Sequence, residues 1–279
     1  MNKLTPSNKL ESFTMHLVDE CNLRCWGCDH FAPIAEGGYV SIESFSSDLN
    51  RIAELTRQDV ERVCFMGGEP LLHHNLPELF SIARSALPKT ELFIMTNGIL
   101  LPKQLDKFWK ACYDFNVKII QTKYPIKIDY EKINRMADQY DVCYSFYDNS
   151  GKEHDLSYHI PLNLEVDKEV SALDNWLSCF HANRFRMLKK GKIYPCTVAP
   201  NIEHFNKYFN KNIPLSDNDG IDIYSVNKLE DIFRTHPLFY DIKKDDYIDK
   251  NVFNYVYVKG RTYDHPWCSS KKNIAEWTL

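Results

Sequence analysis

Three cysteines lie within eight residues near the start of the chain, in the run Cys21-Asn22-Leu23-Arg24-Cys25-Trp26-Gly27-Cys28. Thiolates this close in sequence can bind one soft metal centre when the backbone curls into a loop. Three protein ligands leave one coordination position open, whereas structural zinc and cluster sites usually carry four. The run therefore predicts a metal site that takes part in a reaction. The alternative is a structural zinc knuckle with His30 as fourth ligand.

A glycine-rich run, Gly67-Gly68-Glu69-Pro70, ends the next strand-like segment. Two glycines remove side chains, so a ligand can approach the backbone closely, and Glu69 adds a negative charge beside it. Taken alone, the run is typical of an ordinary turn between a strand and a helix.

Together the two runs resemble the motifs of the radical S-adenosylmethionine (radical SAM) enzymes. The resemblance implies that Cys21, Cys25 and Cys28 hold a 4Fe-4S cluster, and that S-adenosylmethionine chelates the fourth iron through its amino and carboxylate groups. It also implies that the glycine-rich run binds the amino group. Reductive cleavage then yields a 5′-deoxyadenosyl radical, with the electron supplied by a donor such as flavodoxin or ferredoxin.

The elements that must position these residues follow from hydrophobic periodicity. Strand patterns alternate with helical patterns, which predicts a parallel sheet with functional groups at the carboxyl ends of its strands. The strand patterns cover residues 13–17, 60–66, 91–96, 117–122 and 142–147, and the helical ones begin after Ser41 and Asn75 and cover 105–112 and 130–139. The resemblance implies that this α/β fold is a partial (β/α)6 TIM barrel. Cys64, Cys112 and Cys143 are predicted to be buried thiols in apolar segments.

Further cofactor contacts are expected at strand ends. Thr96 and Asn97 end a strand where radical SAM enzymes contact the ribose and methionine parts of the cofactor, although Asn97-Gly98 alone is a common turn. Lys123 follows the next strand and can pair with the cofactor carboxylate; the alternative is a solvated loop lysine. Many family members carry an aromatic residue before the third cysteine, near the adenine, but this chain has Gly27 there. Trp26 or Phe31 can replace it, or each can be a core anchor.

The second half of the sequence predicts a smaller unit. Periodicity fades near residues 148–168, which suggests a radical SAM core over 1–165 and an extension over 166–279. Strand patterns at 184–189 and 192–198, joined at Gly191, predict a hairpin, and helical patterns follow at 202–209 and 228–235. The spacing of Cys179 and Cys196 resembles the twitch module of the twitch/SPASM subgroup. With Cys268, they would hold a second iron-sulfur cluster; otherwise the hairpin is only scaffold.

Composition limits the partners. Hydrophobic residues make up 44% of the 279 positions, and no apolar run approaches the ~18 residues that cross a membrane. The first residues lack the apolar core of a signal peptide, so we expect a cytoplasmic protein with reduced thiols and no membrane partner. The net charge is -4 without a basic block, which argues against a nucleic-acid partner.

These observations predict a radical SAM enzyme that abstracts a hydrogen atom from a small molecule. The predicted substrate is small and polar, sugar-like or aminocyclitol-like, and the outcome is oxidation, epimerisation or rearrangement. One alternative is a radical SAM enzyme that modifies peptides. Another, from a different class, is a non-catalytic zinc-binding or regulatory protein built on the same barrel.

Overall fold

The computed structural model describes residues 9–25, 28–124, 126–147, 186–194, 197–210, 212 and 220–229. Within them lie eight strands: β1 (Ser12–Val18), β2 (Arg62–Gly67), β3 (Glu91–Thr96), β4 (Val117–Gln121), β5 (Tyr144–Phe146), β6 (Met187–Lys189), β7 (Lys192–Tyr194) and β8 (Ile221–Asp222). They form one sheet in the order β5-β4-β3-β2-β1-β6-β7-β8. Strands β1 to β6 pair in parallel, and β7 and β8 are antiparallel additions.

Four helices connect the first five strands and one follows the hairpin. They are α1 (Ile42–Thr56), α2 (Leu76–Ala86), α3 (Asp106–Asp114), α4 (Tyr130–Tyr140) and α5 (Ile202–Phe209). Ser41 caps α1 as predicted, because its hydroxyl accepts a hydrogen bond from the Ser44 amide at 3.1 Å. Asn75 occupies the equivalent position of α2 without a side-chain cap bond.

The main core lies between the sheet and α1 to α4. A chain of ring contacts runs through it from Phe45 on α1 to Phe65 on β2, Phe80 on α2 and Phe108 on α3. Each of these side chains is buried, and burying one such side chain stabilises the fold by ~1.5–3 kcal/mol. Because β5 and β8 lie at opposite edges of the sheet, the described residues form a partial barrel that is not closed.

The predicted hairpin is present, but its first strand also belongs to the barrel. Strand β6 pairs in parallel with β1, so the hairpin continues the main sheet. The buried carboxylate of Asp48 on α1 accepts hydrogen bonds from the Gly191 amide at 3.1 Å and the Tyr224 hydroxyl at 2.7 Å. Gly191 adopts a φ of 73°, which favours glycine at this turn. The expected boundary at residues 165 and 166 lies outside the described residues.

Two burial predictions are wrong and two are confirmed. Cys64 and Cys112 are buried, but Cys143 is exposed because it precedes the short edge strand β5, which has no described neighbour on its outer side. Leu105, the first residue of the apolar helical pattern predicted over 105–112, is 65% exposed because it is the residue before the helix. No described helix is long and apolar enough to cross a membrane.

Candidate active site at the carboxyl ends of the strands

The loop that follows β1 carries the three predicted thiols. Cys21, Cys25 and Cys28 are each partly buried and free of disulfide bonds. Burial raises the pKa of Cys21 to about 11 and that of Cys28 to about 12. Burial also raises the pKa of Cys25, and negative charge on Cys28 and Cys21 raises it further. The thiols therefore lie close enough to repel one another as thiolates, and a cationic centre would relieve that repulsion.

The donor set fits an iron-sulfur cluster. Among the described residues, no three His, Cys, Asp or Glu side chains are arranged to hold one metal ion. A cluster spreads its thiolate ligands over several iron atoms, so the thiols need not meet at one point. His30, the fourth ligand of the alternative zinc site, is buried with its ring stacked on His16 at 5.5 Å and Nε2 3.8 Å from Asp29 Oδ1.

The glycine-rich run lies against the backbone that leads into the cysteine loop. The Gly68 amide donates to the Val18 carbonyl at 2.7 Å, and the Glu69 amide donates to the Glu20 carbonyl at 2.8 Å. A Cβ on Gly68 would lie 2.0 Å from the Glu20 carbonyl oxygen, and one on Gly67 would lie 2.3 Å from that of Val18. The glycines therefore permit contact between the two motifs. Their contact with a ligand ammonium stays a prediction.

Glu69 links the glycine-rich run to the end of β3. Its side chain is buried, and Oε1 accepts hydrogen bonds from the Thr96 hydroxyl at 2.7 Å and the Leu71 amide at 3.0 Å. Oε2 accepts one from the Asn97 amide at 3.0 Å. Burial raises the pKa of Glu69 to about 7. The carboxylate thus positions the Thr96-Asn97 turn, a role that the sequence alone does not reveal. Its contact with the cofactor amino group stays a prediction. Pro70 begins the short buried turn that follows.

Asn97 brings the end of β3 to the cysteine loop. Its side-chain amide donates to Asn22 Oδ1 at 2.7 Å and lies 3.8 Å from Cys21 Sγ. Next to it, Gly98 has a φ of 82°, and a Cβ there would lie 2.0 Å from Gln121 Nε2. Gln121 in turn donates to the Asn97 carbonyl at 3.2 Å. The strand ends of β3 and β4 are thereby joined to the loop after β1.

Two residues after β4 lie near this centre. Lys123, the predicted partner of the cofactor carboxylate, has its ammonium 4.4 Å from the ring centroid of Phe146, and its cofactor contact stays a prediction. Tyr124 was missed. Burial, together with negative charge on the three thiols, raises the pKa of Tyr124 well above its usual range. Nothing in the sequence distinguishes this tyrosine from the other 15 of the 16 in the chain.

A buried polar network lies beside the cysteine loop and was also missed. Asp19 Oδ1 lies 2.6 Å from the Lys189 ammonium on β6, 2.7 Å from His16 Nε2 and 3.5 Å from His204 Nε2. Burial acts to raise the pKa of Asp19, but these hydrogen bonds and the Lys189 charge lower it overall. The same lysine donates to Asn201 Oδ1 at 2.6 Å. The extension therefore contacts the residue that leads into the loop.

The extension also packs on the far side of the loop. Phe31 is buried in a second hydrophobic cluster and lies 5.5 Å from the Phe205 ring of α5, so it serves as a core anchor. The Thr197 hydroxyl donates to Asp29 Oδ2 at 2.5 Å. Trp26, Gly27 and the three cysteines of the predicted second cluster, Cys179, Cys196 and Cys268, lie outside the described residues.

Comparison with known proteins bears on this arrangement. Residues 15–141 match the family model of the radical SAM superfamily. These residues form a radical SAM domain. They contain the cysteine loop, the glycine-rich run and the Thr96-Asn97 turn, so the predicted radical SAM domain is confirmed. The family implies a 4Fe-4S cluster and S-adenosylmethionine as cofactors.

Curated relatives match part of the chain. A GTP 3′,8-cyclase of Chlorobaculum tepidum is 41% identical over 99 residues, which is 35% of this chain and 29% of that protein. An S-adenosylmethionine-dependent nucleotide dehydratase of Lacinutrix mariniflava is 30% identical over 178 residues, which is 61% of this chain and 36% of the relative. The chain thus spans about a third of the length of these two relatives.

Among solved structures, BtrN in complex with AdoMet and 2-DOIA has a TM-score of 0.51 and 16% identity, covering 88% of this chain and 92% of that one. Native anSMEcpe with bound AdoMet has a TM-score of 0.50 and 14% identity, covering 79% and 82%. These likenesses concern the fold, and they agree with the parallel partial barrel described above.

The contact between the two motifs predicts the effect of one methyl group. In Gly68→Ala the new Cβ meets the Glu20 backbone, which cannot move without displacing the loop, so we expect loss of most iron after anaerobic reconstitution. Gly37→Ala is the matched control, because its Cβ meets only the flexible end of the Glu20 side chain. Full iron content in Gly68→Ala would contradict the role given to this contact.

The buried Glu69 predicts a pH dependence of stability. Its folded-state pKa of about 7 exceeds the ordinary value of 4.5, so the folded protein holds this proton more tightly. Stability from this group is fully present below pH 4.5 and is lost as pH rises to about 7, by ~2–3 kcal/mol. The measurement is the free energy of urea unfolding of cluster-free protein as a function of pH. In Glu69→Gln this free energy should no longer fall between pH 4.5 and about 7, whereas Glu78→Gln, at an exposed site on α2, should show the same fall as wild type. Parallel pH profiles in wild type and Glu69→Gln would refute the assignment.

Proposed function

We propose that this protein is a radical SAM enzyme that abstracts a hydrogen atom from a small polar substrate with a sugar-like or aminocyclitol-like ring. One observation carries the proposal. The loop with Cys21, Cys25 and Cys28 is in backbone contact with the glycine-rich run and in side-chain contact with Asn97, all at the carboxyl edge of a parallel sheet. Active sites of barrel folds lie at this edge.

Each residue has a distinct role in the proposal. The three thiolates hold the 4Fe-4S cluster, and the run from Gly67 to Pro70 receives the amino group of S-adenosylmethionine. Thr96 and Asn97 contact its methionine and ribose parts, and Lys123 pairs with its carboxylate. Bound together and given one electron by a donor such as flavodoxin or ferredoxin, the cofactors supply a hydrogen-abstracting radical; the protein supplies orientation and exclusion of water.

The substrate class has support from the relatives. The cyclase and the dehydratase are named for GTP and for a nucleotide, and both names denote small polar molecules with a sugar. At the site itself, the buried groups beside the cysteine loop are polar. His16, Lys189 and His204 surround Asp19 there. Polar groups of this kind suit a hydroxylated substrate better than an apolar one.

The cluster assignment predicts the outcome of a triple substitution. Changing Cys21, Cys25 and Cys28 to alanine removes all three proposed ligands of the cluster that binds S-adenosylmethionine, so formation of 5′-deoxyadenosine from S-adenosylmethionine under dithionite should fall to background. Cys143→Ala, at an exposed thiol outside the site, should cleave the cofactor like wild type. Undiminished cleavage in the triple variant, or colourless wild-type protein that contains zinc and no iron or sulfide, would refute the enzyme and favour the zinc-binding alternative.

We further propose that Cys179, Cys196 and Cys268 hold a second iron-sulfur cluster in the extension. The support is the retained spacing of Cys179, Gly191 and Cys196 along the sequence. Wild-type protein reconstituted without oxygen should then contain about eight irons per chain, and the alanine variant of these three cysteines about four. A count near four in both proteins would eliminate the second cluster and leave the hairpin as scaffold.

A further inference from the structure

Two aspartates lie at the two ends of the cysteine loop. Asp19 follows β1 just before the three thiols, and Asp29 directly follows the last of them. The two ends are close in space, because the His30 ring stacks on the His16 ring at 5.5 Å and His16 Nε2 lies 2.7 Å from Asp19 Oδ1. The loop therefore begins and ends at one place, beside the carboxyl end of β1.

A chain of three residues from the extension joins these two aspartates. Lys189, the last residue of β6, donates to Asp19 Oδ1 at 2.6 Å and to Asn201 Oδ1 at 2.6 Å. Asn201 Nδ2 donates to the Thr197 carbonyl at 2.7 Å, and the Thr197 hydroxyl donates to Asp29 Oδ2 at 2.5 Å. We call these five residues the loop clamp, because their hydrogen bonds connect one end of the cysteine loop to the other.

Burial makes the contacts of the loop clamp depend on one another. Lys189, Asn201 and Thr197 are all buried. A buried charge or polar group that loses its partner is not rehydrated, so the loss costs more than the net gain of the hydrogen bond. Breaking one contact in such a network therefore weakens its neighbours.

A clamp of this kind affects how the loop binds a ligand. Ordering a loop on binding costs conformational entropy, and a loop that is ordered beforehand binds more tightly because that cost is smaller. The loop clamp fixes both ends of the cysteine loop and so restricts the chain between them.

We propose that Lys189, Asn201 and Thr197 are positioning residues that hold the cysteine loop in its ligand-binding conformation. Through them, the extension determines how firmly the first cluster is held. The inference rests on the proposed cluster and deepens it. The three residues act through Asp19 and Asp29, which flank the thiols.

Hydrogen exchange of the cysteine loop tests the loop clamp directly. Thr197→Val keeps the shape of the side chain and removes the hydroxyl donor, so amides of residues 19–31 in the cluster-free full chain should exchange about tenfold faster. Thr197→Ser retains a hydroxyl and should restore the wild-type rate. Thr90→Val is the matched control. It removes a buried hydroxyl bond to the Val60 carbonyl, 2.8 Å long and at the amino ends of β2 and β3, and should leave loop exchange unchanged.

The two ends of the loop clamp should also be coupled. Lys189→Met removes the ammonium that bonds Asp19, and we expect it to speed exchange of the loop by about tenfold as well. The double variant Lys189→Met/Thr197→Val should exchange no faster than the faster single variant, because either break already releases the loop. Effects that multiply in the double variant would mean two independent contacts and would overturn the clamp.

Release of iron tests whether the loop clamp matters to the cluster. Each variant is reconstituted in protein whose proposed second-cluster cysteines are changed to alanine, so that only the first cluster contributes iron. A chelator should remove iron about tenfold faster from Thr197→Val than from the parent protein, and Thr197→Ser should match the parent. Equal rates in Thr197→Val and the parent would overturn the link to the cluster.

The remaining outcomes separate the loop clamp from overall stability and from the proposed function. Unchanged loop exchange in Thr197→Val, or the same acceleration in Thr90→Val, would overturn the inference. If Thr197→Val and Lys189→Met both lose exchange protection in β2, these residues hold the whole fold and the inference is wrong. Wild-type protein that binds no iron would refute the proposed cluster, whereas the exchange rates would still decide whether the clamp holds the loop.

Discussion

The site depends on the backbone contact between the glycine-rich run and the segment that leads into the cysteine loop. The Gly68 amide donates to the Val18 carbonyl and the Glu69 amide donates to the Glu20 carbonyl. This close approach is possible because neither Gly67 nor Gly68 carries a Cβ. A hydrogen bond between backbone groups in a buried setting contributes only ~0.5–1.5 kcal/mol net, but leaving its partners unpaired costs more. The contact therefore sets where the cysteine loop begins, and thereby the positions of its three thiols.

From this contact, hydrogen bonds extend across the carboxyl ends of four strands. Glu69 binds the turn after β3, Asn97 of that turn binds the cysteine loop, and Gln121 at the end of β4 binds Asn97. Tyr144 on β5 donates to Gln121 at 2.5 Å. On the opposite side, Lys189 of the extension is paired with Asp19 before the loop. A ligand loop that is bonded to several strand ends is held more rigidly than a free loop, which suits a cluster that must present one iron to a cofactor.

The fold was largely predictable because buried parallel strands are short apolar runs bounded by turns. The segment predicted at 91–96 matches β3, and Ser41 could be identified as a helix cap from the apolar periodicity behind it. Strand pairing was not predictable in the same way. The residues of β6 indicated a hairpin, but only tertiary packing places that strand beside β1. Cys143 lies in an apolar segment, yet its strand is short and lies at the sheet edge, so the thiol is exposed.

The same distinction between local sequence signals and tertiary packing applies to the candidate site. The three cysteines and the glycine-rich run were identifiable because their chemistry depends on local spacing. The structural role of Glu69 was not identifiable. The sequence predicts that its charge faces a ligand, whereas its carboxylate accepts three hydrogen bonds from residues of the chain itself. Tyr124 and Lys189 depend on which strand ends meet, and single residues of these types carry no local signal.

The central claim is that three thiolates hold a cluster with one open iron position next to a site for S-adenosylmethionine. It is tested most directly by the electron paramagnetic resonance spectrum of the dithionite-reduced, anaerobically reconstituted protein, recorded with and without S-adenosylmethionine. The account predicts a 4Fe-4S signal whose g values change when the cofactor is added, because the cofactor binds the open iron. A cluster signal that S-adenosylmethionine leaves unchanged, or the absence of any cluster signal, would contradict it.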